Sequence, residues 1–143
     1  MHVDFYHATR EPAEAVAPRL VHKALEAGHR LVLRAADPDR LAALDARLWT
    51  HEAASFLPHG LAGGPHDARQ PCLLTCDDGP PANGATVLML LDPPLPAGGF
   101  ERILFLFDDM ARAPARAAWR GWGGPATYWK QGPRGWERAA SKP

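Results

Sequence analysis

Arg112, Arg116 and Arg120 stand four residues apart, and Trp119 and Trp122 flank the last of them. On a helix of about 3.6 residues per turn this spacing lines the guanidiniums along one face, drifting about 40° per step. No acid follows Asp109 in this stretch to neutralise them. Like charges four apart oppose the helix by roughly 0.2–0.5 kcal/mol per pair. Arginine beside tryptophan suits carboxylates, which a guanidinium binds bidentately while stacking on rings. It also suits single-stranded nucleic acid, which needs cations and stacking platforms. A solvated face whose arginine stems cover the tryptophans is the third reading. The residues alone leave all three open. Pro114 complicates them: if Asp108 or Asp109 caps the helix, Pro114 falls beyond the first turn and sets Arg112 apart.

The second constellation lies in Leu44–Gly64, LDARLWTHEAASFLPHGLAGG. LDARLW reads as the end of an amphipathic helix with Leu44 and Trp49 on its apolar side. HEAASFLPHGLAGG then has neither helical nor strand periodicity. It mixes Phe56, Leu57 and Leu61 with Pro58, Gly60, Gly63, Gly64 and Pro65, and breakers of this kind mark a loop. So much apolar surface either packs back on its own domain or serves a partner.

Constellations for catalysis are missing. GLAGGP does not follow a strand and lacks the Gly-Lys-Ser/Thr ending of a phosphate loop. The first strand-to-helix turn, YHATREPAE, has no glycine for close approach of a pyrophosphate. There is no G-x-S-x-G. His51, His59 and His66 are loosely spaced and form no His-x-x-x-His pair, so no metal is expected. Cys72 and Cys76 are four apart, which fits neither a zinc nor a redox motif. They suit a reduced protein, and cytoplasmic localisation is expected. Asp77-Asp78 reads as a turn and Asp108-Asp109 as a helix cap.

At 143 residues the chain is expected to be one domain, 1–143, its last residues a flexible tail. Formal net charge is zero, so no global field draws nucleic acid. The N-terminus has no signal-peptide pattern, and no apolar run reaches the roughly 18 residues of a membrane helix.

These residues need elements to hold them. Strands are expected at Val3–Ala8, His29–Ala36, Pro71–Thr75, Val87–Asp92 and Glu101–Phe107. Helices are expected at Glu11–Ala27, with Pro18 a kink risk, from Pro38 to about Trp49, and from Asp108-Asp109 to about Trp122. The alternation predicts an α/β fold: a single-domain three-layer sandwich with a largely parallel sheet, resembling mononucleotide-binding folds. The Val87 and Glu101 strands leave no room for a crossover helix between them.

Taken together, the segments resemble the chi subunit of bacterial DNA polymerase III. LDARLWTHEAASFLPHGLAG is similar to that family's L-D-x-x-L-W…S-F-x-P-H-x-L-A-G segment. ARAAWRGW, TYWKQ, GWE and the opening VDFYH also fit. The resemblance implies a non-enzymatic adaptor that needs no cofactor. It implies a psi subunit joining it to the clamp loader, the acidic C-terminal tail of single-stranded DNA-binding protein, and a repair-type helicase sharing the psi-facing surface. By motif, Arg116, Trp119, Arg120 and Arg112 match the tail-binding positions. Trp49, Phe56 and Pro58 match the psi or helicase surface. A nucleotide-binding enzyme on the same fold and a direct single-stranded nucleic-acid binder are the alternatives.

Overall fold

The computed structural model describes residues 1–50 and 58–143. Strands β1 (His2–Ala8), β2 (Leu31–Arg34), β3 (His59–Leu61), β4 (Cys72–Thr75), β5 (Val87–Leu90), β6 (Arg102–Asp108), β7 (Ala126–Gly132) and β8 (Gly135–Lys142) form one sheet. Its order is β3-β4-β2-β5-β6-β1-β7-β8. Neighbours run parallel except β8, which returns antiparallel to β7. The central strands are apolar at consecutive positions because both faces are covered, as parallel sheets require. Alternate residues serve opposite cores. Leu31, Leu33, Leu74, Met89 and Leu106 pack against helices α1 (Ala13–Glu26) and α2 (Pro38–Thr50). Val3, Phe5, Val32, Leu88 and Phe105 face the other side, where α3 (Arg112–Gly121) lies. The α/β sandwich expected from the sequence is therefore present.

Several boundaries move for physical reasons. Pro18 sits inside α1, fully buried, and the helix continues through it. Gly28, at φ +86°, ends α1 and donates its N–H to the Leu25 carbonyl. Asp108 does cap, accepting from Met110 N at 3.1 Å, but the turn it opens is a short 3₁₀ segment, Asp109–Ala111. α3 starts only at Arg112. That late start puts Pro114 in the first turn, where the N–H has no helical acceptor and a proline costs little.

Three strands among the described residues were not expected from the sequence: β3, β7 and β8. β3 lies within the glycine-rich segment that has no strand periodicity; three residues are too few to show one. The C-terminal residues, expected as a flexible tail, form the edge strand β8. Its polar side chains fit an edge with solvent on one side.

β5 and β6 are parallel neighbours joined without a helix. The connection is instead a proline-rich loop over 91–101 whose Leu95 and Phe100 pack on the α3-side core. Loop 76–86 contributes Ala85 to the same core. So α3 covers the β6-β1-β7 half of that face, and the two loops roof the β4-β2-β5 half.

Candidate functional site

Parallel pairing sets Phe5 opposite Tyr128 and His7 opposite Lys130. Tyr128 and Lys130 therefore share the face that α3 covers, two residues apart on β7. α3 brings Arg116, Trp119 and Arg120 down onto them. The result is a cleft of about 340 Å³ lined by His7, Arg116, Trp119, Arg120, Tyr128 and Lys130, with Ala139 of β8 at its margin.

The floor is aromatic and fixed. Trp119 meets Phe5 edge-on at 5.2 Å and Tyr128 at 5.5 Å. Lys142, near the end of β8, holds its ammonium 4.7 Å from the Trp119 ring centre. That ammonium also donates to the carbonyls of Trp119 and of Trp122 (2.9 Å), satisfying the C-terminal end of α3. Trp122 lies past the helix end, half-buried, and donates from Nε1 to the Pro125 carbonyl at 3.3 Å. It anchors the turn and does not extend the arginine face.

Cations dominate the cleft lining, with Glu137 of β8 across from Lys130. Arg116, Arg120 and Lys130 are exposed cations. Asp109 is engaged: buried His7 donates from Nε2 to Asp109 Oδ1 at 2.6 Å. This hydrogen bond holds the exposed Asp109 carboxyl below its ordinary range. His7 Nδ1 then accepts from the Tyr128 hydroxyl at 3.2 Å. Burial pushes the Tyr128 phenol upward, and the adjacent Arg116 guanidinium partly offsets that. Arg112, the first residue of α3, is exposed and does not line the cleft; its charge still acts on Tyr128 and Asp109.

Sequence reasoning found the α3 side chains and missed His7, Tyr128, Lys130 and Ala139. The i, i+2 spacing of Tyr128 and Lys130 in TYWKQ was the available signal. It carries no information about a helix 10 residues away until the strand is placed beside β1.

Of the residues that the resemblance assigns to a psi or helicase surface, Trp49 and Pro58 lie toward the other end of the sheet, near edge strand β3. α2 buries Leu41, Leu44 and Leu48, but Trp49 is 57% exposed rather than on the apolar side. Its ring sits 4.6 Å from that of His59, which is buried and 3.1 Å from Asp45. Pro58 is half-buried next to β3, and Leu61 is exposed. Phe56 lies outside the described residues.

The place where a nucleotide would sit in this architecture is taken. β1 and β6 are neighbours, and the helices that follow them lie on opposite faces, so their carboxyl ends form the switch-point crevice. There Asp108 Oδ2 accepts from Ala13 N at 2.9 Å, at the first residue of α1. A built-in carboxylate thus occupies the anion position of that helix N-terminus. Asp108→Ala is expected to cost about 1 kcal/mol of stability, as the loss of a helix cap does; urea denaturation measures it, and an unchanged midpoint would refute the role. Among the described residues no group of three or more His, Cys, Asp or Glu side chains is arranged to hold a metal. No helix among them is long and apolar enough to cross a membrane.

Comparison with known proteins gives consistent matches. The family model described as DNA polymerase III chi subunit, HolC, matches residues 1–124. The "Probable DNA polymerase III subunit chi" of Rickettsia prowazekii is 31% identical over 88 residues, covering 62% of this chain and 53% of that protein. The chain thus spans about half the length of that relative. DNA polymerase III subunit chi of Pseudomonas aeruginosa is 34% identical over 125 residues, covering 82% of this chain and 86% of that protein. The family match takes in α3 with Arg116, Trp119 and Arg120 and stops before β7, which supplies Tyr128 and Lys130. With the family model spanning residues 1–124, the chain belongs to the DNA polymerase III chi subunit family, a family of non-catalytic replication accessory subunits.

Proposed function

We propose that this chain is an adaptor of the DNA polymerase III holoenzyme that binds the acidic C-terminal tail of single-stranded DNA-binding protein in the α3–β7 cleft and a psi subunit at the Trp49–Leu61 end. The observation that carries the first half is the cleft itself: three exposed cations around a fixed aromatic floor, with Asp109 tied to His7. An extended acidic peptide supplies carboxylates for Arg116, Arg120 and Lys130 and an apolar residue for Trp119. Exposed Trp49 and Leu61 beside Pro58 support the second half, because large apolar side chains left in solvent near one sheet edge suit a protein partner. The same surface suits a repair-type helicase in competition with psi. Phe56 is assigned to it on the motif alone. The two surfaces lie at opposite edges of the sheet, so both partners fit at once.

Fluorescence anisotropy with a labelled acidic tail peptide tests the cleft. Arg116→Ala is expected to weaken binding roughly tenfold, about the loss of one charge-assisted bidentate contact. Amidating the terminal carboxylate and raising salt should weaken it as well, since exposed charges are screened beyond about 8 Å at physiological ionic strength. Thermal stability and psi binding should stay unchanged. Equal tail affinity for wild type and Arg116→Ala would remove the cleft from the mechanism. Tighter binding of a naked oligonucleotide than of the peptide would favour direct nucleic-acid binding instead.

A further inference from the structure

Arg34 ends β2 with 9% of its surface exposed. Parity along the strand places it with Val32, on the face roofed by the two proline-rich loops. Its guanidinium has little company. Nη2 reaches the Gly79 carbonyl only at 3.5 Å, Nε is buried without a hydrogen-bond partner, and the Phe100 ring centre is 5.8 Å away. Among the described residues no carboxylate lies within ion-pair distance. A buried, unpaired guanidinium is costly to a fold, and proteins that retain one have a use for it.

A cavity of about 480 Å³ opens against this side chain, at the carboxyl ends of β2, β4 and β5. That volume falls in the range of small-molecule sites, and the carboxyl edge of an open α/β sheet is where ligands sit. Leu90, Leu95 and Pro94 give it an apolar wall. Asp77, Asp78 and Asp92 also line it. Asp92 is committed, accepting from Ala36 N and pairing with Arg40. Asp77 is held away from Arg34 by its own turn, where Oδ1 accepts from Gly79 N at 3.0 Å. Neither Asp77 nor Asp78 pairs with a cation among the described residues. The cavity thus presents a cation and anions that do not reach each other. The acids disfavour a polyanion such as a nucleotide.

We propose that this cavity is a binding site for a small zwitterion with an apolar body, a free apolar amino acid, whose carboxylate meets Arg34 and whose ammonium meets Asp77 and Asp78. The ligand completes both charge sets at once, and Leu90, Leu95 and Pro94 receive its side chain. This site is separate from the α3–β7 cleft and independent of the adaptor role.

The test uses the full chain, with the apolar L-amino acids as probes and L-leucine as the reference. Calorimetry and thermal shift should show saturable binding. Leucinamide, which lacks the carboxylate, and 4-methylvalerate, which lacks the ammonium, should each bind at least roughly tenfold more weakly. Arg34→Met should abolish binding while its unliganded melting temperature equals or exceeds that of wild type, because a buried unpaired charge has been removed. Asp78→Asn should weaken leucine and leave 4-methylvalerate unchanged, and it keeps the proposal testable if Arg34→Met does not fold. Three results would overturn it. They are no binding by any apolar amino acid at about 10 mM (a limit near 3 kcal/mol of affinity), unchanged affinity in either variant, and a folded Arg34→Met of lower stability, which would make Arg34 a structural anchor for the loops.

Discussion

Arg102→Met is expected to be among the most damaging single changes, at about 1.5–3 kcal/mol of stability, the worth of a charged hydrogen bond whose arginine is half exposed. The reason is its partner. Asp4 is 1% exposed in β1, and its carboxylate accepts from Arg102 Nε at 2.7 Å, Trp129 Nε1 at 3.0 Å and His2 Nε2 at 3.3 Å. One buried charge therefore ties β6, β1 and β7 together. Removing the arginine leaves that charge among weaker donors in a place water does not reach. Asp4→Asn with Arg102→Met removes both charges and should recover much of the loss, because the desolvation penalty goes with the carboxylate. Urea titration of the wild type, both single variants and the double variant measures the coupling. A double variant as unstable as the sum of the two singles would show the pair to be energetically independent.

The second large effect is alkaline. Tyr6 has its phenol pushed up to about 12, first by burial and then by the nearby Asp4 charge, with Arg102 pulling the other way. Its ring is wedged between Trp129, stacked at 6.3 Å, and Trp136, edge-on at 5.0 Å. A phenol that ionises less readily folded than unfolded holds its proton longer in the native state. Its contribution is therefore complete below the unfolded value of 10.0 and is lost as pH rises toward about 12. At about 1.4 kcal/mol per unit the loss is roughly 2–3 kcal/mol. Lysines titrate in the same window, so the comparison needed is wild type against Tyr6→Phe at each pH. The difference should shrink or reverse between pH 10.0 and about 12. A pH-independent difference would mean that the phenol is as well solvated folded as unfolded.

The sequence showed its long-period features well. Leu41, Leu44 and Leu48 repeat at helical spacing and are buried; LVL and ILFLF are continuous apolar runs and lie in central strands. The elements missed are those whose partners set their state. β3 has three residues and becomes a strand only because β4 lies beside it. β8 reads as a polar tail because its outer edge meets solvent. Trp49 follows Leu48 by one position, and a 100° turn separates a buried side chain from an exposed one. The α3 half of the cleft was legible because arginine spacing is local. The β1 and β7 half was not, since His7 and Tyr128 meet across a separation of 121 residues.

β1 pairs only with β6 and β7. Its register partner at the start, Arg102 for His2, lies about a hundred residues later in the chain. On a ribosome the first strand made is thus among the last to acquire neighbours. α1 and α2 emerge next, while the β3-β4-β2-β5 half assembles from segments close in sequence. Long-range pairing of this kind slows folding, because loop closure precedes any contact that rewards it. Seating β1 between β6 and β7 is the pairing with the longest loop to close. Until β1 is seated there, neither the Asp4 network nor the floor of the α3–β7 cleft exists.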